Sequence, residues 1–323
     1  MSRIRLAGRA APTENDVSLT SLDHVILAVR DLAQAERQHR ALFGLAPSWR
    51  GSHPHHGTAN VLFRLENTYV ELLAASGDGP LGSLVEAWVT ASGDGPIGLA
   101  FATDDIGGCR ELFEMRGLAP GPVEAGEGID SATGAVRRWR RLALPLDRTR
   151  GVLLFPIQHD SPPDALPRAR PDCDAGAAVH AIDHAVVHTT DAAAARRLYG
   201  EALGLRLAVD KEFQQWGVHL LFFRIAGITV EVAATLAGAD AATALPGGHA
   251  SGDADRLYGM SYRVRDIEAA RSRLAAAGVD VSDVRAGRRP ATRVVTVRSH
   301  ACGVPTLLIE HESDRGHSRD GAA

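Results

Sequence analysis

The chain has 323 residues, 45% of them hydrophobic and 23% charged, with a formal net charge of −4, a soluble composition with room for two domains. No apolar run reaches the roughly 18 residues a spanning helix needs, and no long basic stripe offers a nucleic-acid surface. Cys109, Cys173 and Cys302 are odd in number and far apart, which argues against a disulfide framework or a CxxC zinc site and points to a reducing cytoplasm; the first residues carry no apolar stretch of a secretory signal.

In chain order, residues 1–18 read as an N-terminal extension. LDHVILAV, from Leu22, is the first strand. Asp31 is placed to cap a helix that stops at Gly44. Apolar β-rich segments follow, including NVLFRLENTYVELL. GLAFAT, from Gly98, is the next strand, with Asp104 or Asp105 capping a helix that stops at Gly117. Residues 19–159 thus form a first domain. The Pro-, Asp- and Ala-rich stretch 160–179 reads as a linker. Residues 180–312 repeat the plan, with helices DAAAARRLYGEALG and DIEAARSRLAAAG, and 313–323 are a tail.

The repetition is in register. Ile182-Asp183-His184 lies 160 residues after Leu22-Asp23-His24, and the same offset pairs Asp31 with Asp191, Gly44 with Gly204, Arg64 with Arg224 and Glu71 with Glu231. GLAFATDDI matches GMSYRVRDI, and GVLLFPIQH matches GVPTLLIEH, setting Gln158 on Glu310 and His159 on His311. Such self-similarity is the mark of a duplicated unit. Each copy is itself two units of strand, helix and further strands.

The segments LDHVILAVRDL, LFGL, GTANVLFRLENTYVELL and GLAFATDDI resemble the vicinal oxygen chelate superfamily, the first copy most closely its glyoxalase-like branch. The resemblance implies an α+β fold of four tandem βαβββ modules forming two cup-shaped, glyoxalase-like domains. It also implies a divalent metal in the cup, and Fe²⁺, Mn²⁺, Zn²⁺, Ni²⁺ and Co²⁺ all suit imidazole with carboxylate. The family's ligand positions map to His24, Glu71 and Gln158 in the first copy and to His184, Glu231 and Glu310 in the second. The remaining position falls on Gly98 and Gly259, so each copy lacks one histidine. Two carboxylates make the second set the better one for a divalent charge.

His53, His55 and His56 form the densest histidine cluster, here read as substrate contacts. Trp216 holds the place of His56 in the second copy and is read as cup lining, with His219 a nearby candidate. In the basic run Arg137-Arg138-Trp139-Arg140-Arg141, alternation sets Arg138 and Arg140 on one face and Arg137, Trp139 and Arg141 on the other; the run suits an acidic ligand or is simply an exposed strand. The function expected is a metal-dependent isomerase, epimerase or lyase acting on a small vicinal-oxygen substrate. A Glu free of metal, Glu231 or Glu71, would be its general base. Two alternatives stand beside it, a ring-cleaving dioxygenase with an altered ligand set and a non-catalytic small-molecule binder. Pairing within the chain and across a homodimer are both open.

Overall fold

The computed structural model describes residues 18–236 and 254–314; most of the expected N-terminal extension and of the tail lies outside them. The first domain runs β1 (Leu19–Ala28), α1 (Leu32–Phe43), β2 (Leu45–Ala46), β3 (Trp49–His53), β4 (Thr58–Arg64), β5 (Tyr69–Ala75), α2 (Pro80–Ser92), β6 (Gly95–Thr103), α3 (Ile106–Met115), β7 (Val123–Asp130), β8 (Val136–Leu142) and β9 (Leu153–His159). A short β10 (Arg170–Pro171) follows. The second runs β11 (Val179–Thr189), α4 (Ala192–Arg196), β12 (Arg206–Phe213), β13 (Val218–Ile225), β14 (Ile228–Thr235), β15 (Arg256–Val264), α5 (Ile267–Ala276), β16 (Arg285–Ala286), β17 (Thr292–Val297) and β18 (Thr306–His311). The fold is the mixed α+β architecture the modules imply, two sheets of eight strands, with α2 an insertion between the modules of the first domain.

The expected caps form. The Asp31 side chain accepts from the Gln34 N–H, Asp105 from Gly108, Asp191 from Ala194 and Asp266 from Glu268 and Ala269. Gly44 closes α1 in the left-handed region at φ 66°, where a side chain would be strained. Helices α1, α3, α4 and α5 each lie against strands of their own module, whereas α2 packs Val85 and Val89 onto the cup-facing side chains Ile26, Leu73, Phe155 and Ile157.

The strands of the first domain close into a barrel in the order β1-β5-β4-β3-β7-β8-β9-β6. Within it β1 runs parallel to β5 and antiparallel to β6, and β6 runs parallel to β9. The second sheet has the matching order β12-β13-β14-β11-β15-β18-β17-β16 but stays open, because β12 and the two-residue β16 do not pair. One apolar core continues through both domains, with the Phe43 and Tyr262 rings 4.9 Å apart across the boundary. The segment read as a linker is tied down, since β10 pairs with β2 and Leu166 is buried. Among the described residues no helix is long and apolar enough to cross a membrane.

Candidate functional site

Side chains alternate across a strand, so one face of each barrel strand lines the first cup. β1 contributes His24 and Ile26, β5 Tyr69 and Glu71, β3 Trp49 and His53, β4 Asn60 and Leu62, β8 Arg137, Trp139 and Arg141, and β9 Leu153, Phe155 and Ile157. They enclose a cavity of about 60 Å³.

Its polar centre is a chain of contacts. His24 is 3% exposed and Glu71 7%. His24 Nδ1 donates to Asp23 Oδ1 at 2.7 Å, and its Nε2 faces Glu71 Oε2 at 3.4 Å. The other Asp23 oxygen accepts from His159 Nε2 at 2.9 Å. The Asn60 amide donates to Glu71 Oε1 at 2.7 Å and approaches His53 Nε2 at 3.3 Å, while His53 Nδ1 meets Thr58 Oγ1 at 3.0 Å. His24 stacks on the Tyr69 ring, centroids 4.6 Å apart.

Burial alone would drive the His24 proton off, but the hydrogen bonds to Asp23 and Glu71 outweigh it and raise the pKa to about 9. Burial likewise opposes charge on Glu71, and the His24 partner overrides it, lowering the carboxyl to about 2. The pair is an imidazolium–carboxylate. His53 has no such partner, and burial lowers its pKa, keeping it neutral.

The second cup repeats the theme more loosely. Asp183 accepts from His184 Nδ1 at 2.9 Å and from His311 Nε2 at 2.7 Å, as Asp23 does from His24 and His159. His184 Nε2 lies 3.9 Å from Glu231, and both side chains are about one-fifth exposed. His184 opens onto a wide groove of about 730 Å³ that also takes in Tyr258, His300 and Cys302, and Gln34 and Gln38 of α1.

Several sequence-picked residues lie elsewhere. Gln158 faces out of the barrel, where its carbonyl oxygen accepts from the Ile106 N–H and its amide donates to the Asp104 carbonyl, pinning the start of α3. Glu310 is its counterpart on the outer face of β18, accepting from the Ile267 N–H at 2.9 Å and paired with Arg293. Neither joins a cup. His219 shares the outer-core face of β13 with Leu221 and Phe223 and is bound to Asp210 at 2.7 Å. Trp216, by contrast, stacks on Phe213 beneath the Arg288 guanidinium and packs against Val218, Leu220 and Phe222, the β13 face that matches the cup face of β4. Of the histidine cluster, His53 and His56 line the first cup and His55 is exposed.

A model of the glyoxalase-like domain matches residues 22–178, and one of the glyoxalase/bleomycin resistance protein/dioxygenase superfamily matches residues 183–296. The chain is a two-domain vicinal oxygen chelate protein. No curated protein sequence matches it significantly. Among solved structures, this vicinal oxygen chelate chain is similar to a mutant of 4-hydroxymandelate synthase from Streptomyces coelicolor, at 17% identity over 91% of this chain and 93% of that one, TM-score 0.60. It is also similar to the Mn(II)-bound glyoxalase from Novosphingobium aromaticivorans, at 16% identity over 91% and 83%, TM-score 0.57. A third is the halotolerant catechol dioxygenase BphC, at 12% identity over 91% and 87%, TM-score 0.57. At these identities the likeness is one of fold.

Strand register shows how this vicinal oxygen chelate cup departs from the family's four-ligand pattern. His24 and Gly98 each lie seven residues before a helix cap, Asp31 and Asp105, and so are counterparts. Glu71 sits opposite Ile26, two residues after His24, and the residue opposite Ala100, two after Gly98, is Phe155. In the second domain the same steps lead from His184 and Glu231 to Gly259 and Leu307. Each cup therefore keeps two of the four positions.

The retained pair has the chemistry of metal ligands, because a carboxylate on His Nδ1 leaves Nε2 turned inward, the usual outer-shell arrangement. The number falls short. Catalytic sites usually supply three protein ligands, and among the described residues no three His, Cys, Asp or Glu side chains gather as a metal-holding group. In the first cup His24 and Glu71 are the residues that would hold a divalent ion, with no third acidic or imidazole ligand at a family position.

Asp23, His159 and Asn60 join the site without a role evident in the sequence: the first two stand out there only as residues repeated in both copies, and Asn60 only as part of GTANVLFRLENTYVELL.

Proposed function

We propose that the first cup is the working site of a glyoxalase-like enzyme that moves a proton beside a carbonyl or carboxyl group of a small molecule, as an isomerase, epimerase or lyase. One observation carries this reading: a buried His24–Glu71 ion pair, each member held from behind, faces an enclosed cavity. Asp23 fixes the His24 ring, and Asn60 fixes the Glu71 carboxylate. Preorganised charge in a water-poor site is what stabilises a developing oxyanion.

The division of labour follows from the charges. The His24 imidazolium donates toward the substrate oxygen and stabilises negative charge there. Glu71 accepts the proton from the adjacent carbon. Its low pKa in the free protein makes it a poor base, but a substrate oxygen that takes over the His24 N–H weakens the contact holding it down. Its basicity therefore rises when substrate is bound. Phe155 and Ile157 keep water from the pair. A divalent ion, supported by the Mn(II)-bound glyoxalase of the same fold, would rest on His24 and Glu71 only with His24 deprotonated, and would then supply Lewis acidity at the oxygen in place of the imidazolium N–H.

The test is exchange of carbon-bound hydrogen in D₂O, followed by NMR over a panel of small 2-oxo and 2-hydroxy compounds. Metal content of each preparation is measured alongside. Wild type should exchange at least one compound, and Glu71→Gln should slow it at least about 100-fold, the worth of a positioned base. Exchange unchanged in Glu71→Gln would overturn the assignment. Tight stoichiometric binding without exchange would favour the non-catalytic reading, which the apolar Phe155 at a ligand position supports. Oxygen uptake with a catechol would favour the dioxygenase reading.

A further inference from the structure

Arg137 is 8% exposed, yet among the described residues its guanidinium has no carboxylate partner and no hydrogen bond. Its neighbours on β8 are satisfied: Arg138 lies against Glu127, Arg140 holds Asp160 and Arg141 holds Glu124. Arg137 instead rests over two aromatic rings, its Cζ 5.8 Å from the centre of Trp49 and 5.6 Å from that of Tyr69. Such rings orient a guanidinium and offset part of its desolvation. They leave all five N–H donors unmet, and a buried charge in that condition costs stability unless an anion completes it.

The position of the guanidinium decides what the anion belongs to. Arg137 lines the cup that holds His24 and Glu71, and it also lines an adjoining pocket with Asp23, Arg64 and His159. Tyr69 carries His24 stacked 4.6 Å from its centre and Arg137 at 5.6 Å, so imidazole and guanidinium both rest on one ring in the lining of the same cup. The cup's volume of about 60 Å³ corresponds to roughly four to six waters at about 10–15 Å³ each, so its occupant is small. A planar carboxylate matches the planar fork of donors.

We infer that the substrate of the first cup is a short carboxylic acid whose carboxylate is clamped by Arg137 while its neighbouring carbon faces His24 and Glu71. The inference rests on the first cup being the working site, and it adds a substrate class and a specificity residue, Arg137, to that reading.

The test is calorimetric titration of the intact chain with pyruvate, L-lactate and oxalate, each against its neutral amide, with inorganic phosphate as a further probe. At least one acid should bind wild type about 10- to 100-fold more tightly than its amide, the worth of a charge-assisted pair. Arg137→Met should erase that preference and keep the packing on Trp49 and Tyr69. Arg137→Lys should retain part of it, having charge without the fork. A melting curve confirms that each variant is folded. Equal binding of acid and amide, binding of phosphate alone, no binding of any acid, or an undiminished preference in Arg137→Met would each overturn the clamp. Glu71→Gln separates the two readings. An acid preference that needs Arg137, in a protein that exchanges no carbon-bound hydrogen, would keep the clamp and sink the proton-transfer proposal. Exchange that needs Glu71 without any acid preference would do the reverse.

Discussion

At the scale of single residues, the same side-chain type takes opposite charge states according to its neighbours. His24 is buried with two carboxylates and is held protonated. His39 is equally buried on α1, its Nδ1 3.0 Å from the Ala35 carbonyl and its ring edge-on to Phe43, and burial lowers its pKa to about 4. The unfolded chain, with an ordinary pKa near 6.5, then binds more protons than the folded one below neutrality. The His39 contribution is fully present above pH 6.5 and is lost as pH falls toward 4. The loss amounts to about 3 kcal/mol, at about 1.4 kcal/mol per pKa unit. Urea unfolding from pH 8 to pH 4 should show wild type losing that much more than His39→Leu, and parallel curves would refute the account. A lone histidine in a sequence does not announce which state it takes. His24 stood out because an Asp precedes it in both copies, whereas nothing in QHRALF marks His39.

At the scale of elements, the helices, their caps and the two-fold repeat were legible, because Asp and Gly punctuation and a gap-free offset are local signals. The face of the last strand was not. Matching GVLLFPIQH to GVPTLLIEH drew the eye to Gln158 and Glu310, but pairing with β6 turns Phe155 to the cup, and alternation then turns Gln158 away. Glu310 accordingly has a structural job at the start of α5. Glu310→Ala should leave the Ile267 N–H unmatched and Arg293 with Glu268 alone, and cost about 1–3 kcal/mol, with metal content unchanged. Lost metal at unchanged stability would return Glu310 to a ligand role.

The missing histidine is also an element-level fact. A Cβ on Gly98 would lie 2.6 Å from the Leu153 carbonyl oxygen and 2.9 Å from its Cβ, so β9 packs where a side chain would begin. At Gly259 the nearest atom, the Pro305 carbonyl oxygen, is 3.0 Å away. Gly98→Ala should therefore destabilise by about 1–3 kcal/mol, as overpacking does, and Gly259→Ala by less, both read from denaturant midpoints. The family's histidine cannot be restored at Gly98 by substitution alone, because the neighbouring strand's backbone has closed on it.

At the scale of the whole molecule, duplication left two unequal domains on one core. The barrel closes over a small polar cup, and the open sheet frames a groove completed in part by α1 of the first domain. Composition predicted two domains but gave no sign of this inequality, because closure depends on whether β12 and β16 reach each other. The domains are bound by more than apolar contact. The Asn67 side chain exchanges hydrogen bonds with Ile182 at 2.8 and 3.1 Å, and the Arg273 guanidinium caps the Ala41 and Leu42 carbonyls at the end of α1. Arg150 Nε meets the fully buried side chain of Asp255 at 3.0 Å. Burial raises the Asp255 pKa even with a Thr189 hydrogen bond and Arg150 beside it, so the carboxylate depends on those two partners for its charge. Arg150→Ala should cost about 3–5 kcal/mol at neutral pH, the usual penalty for orphaning a buried charge. The sign with pH follows from the raised pKa. A carboxyl that stays protonated in the folded state contributes stability below its unfolded pKa and loses it as pH rises, so the variant should be hurt more at pH 8 than at pH 5. Replacing both partners, Arg150→Met with Asp255→Leu, should recover most of the loss, because no charge is then left buried. Tryptophan fluorescence and circular dichroism through urea unfolding measure both. A single variant as stable as wild type at pH 8, or a double variant no better than the single, would show that the interface is held by its apolar core alone.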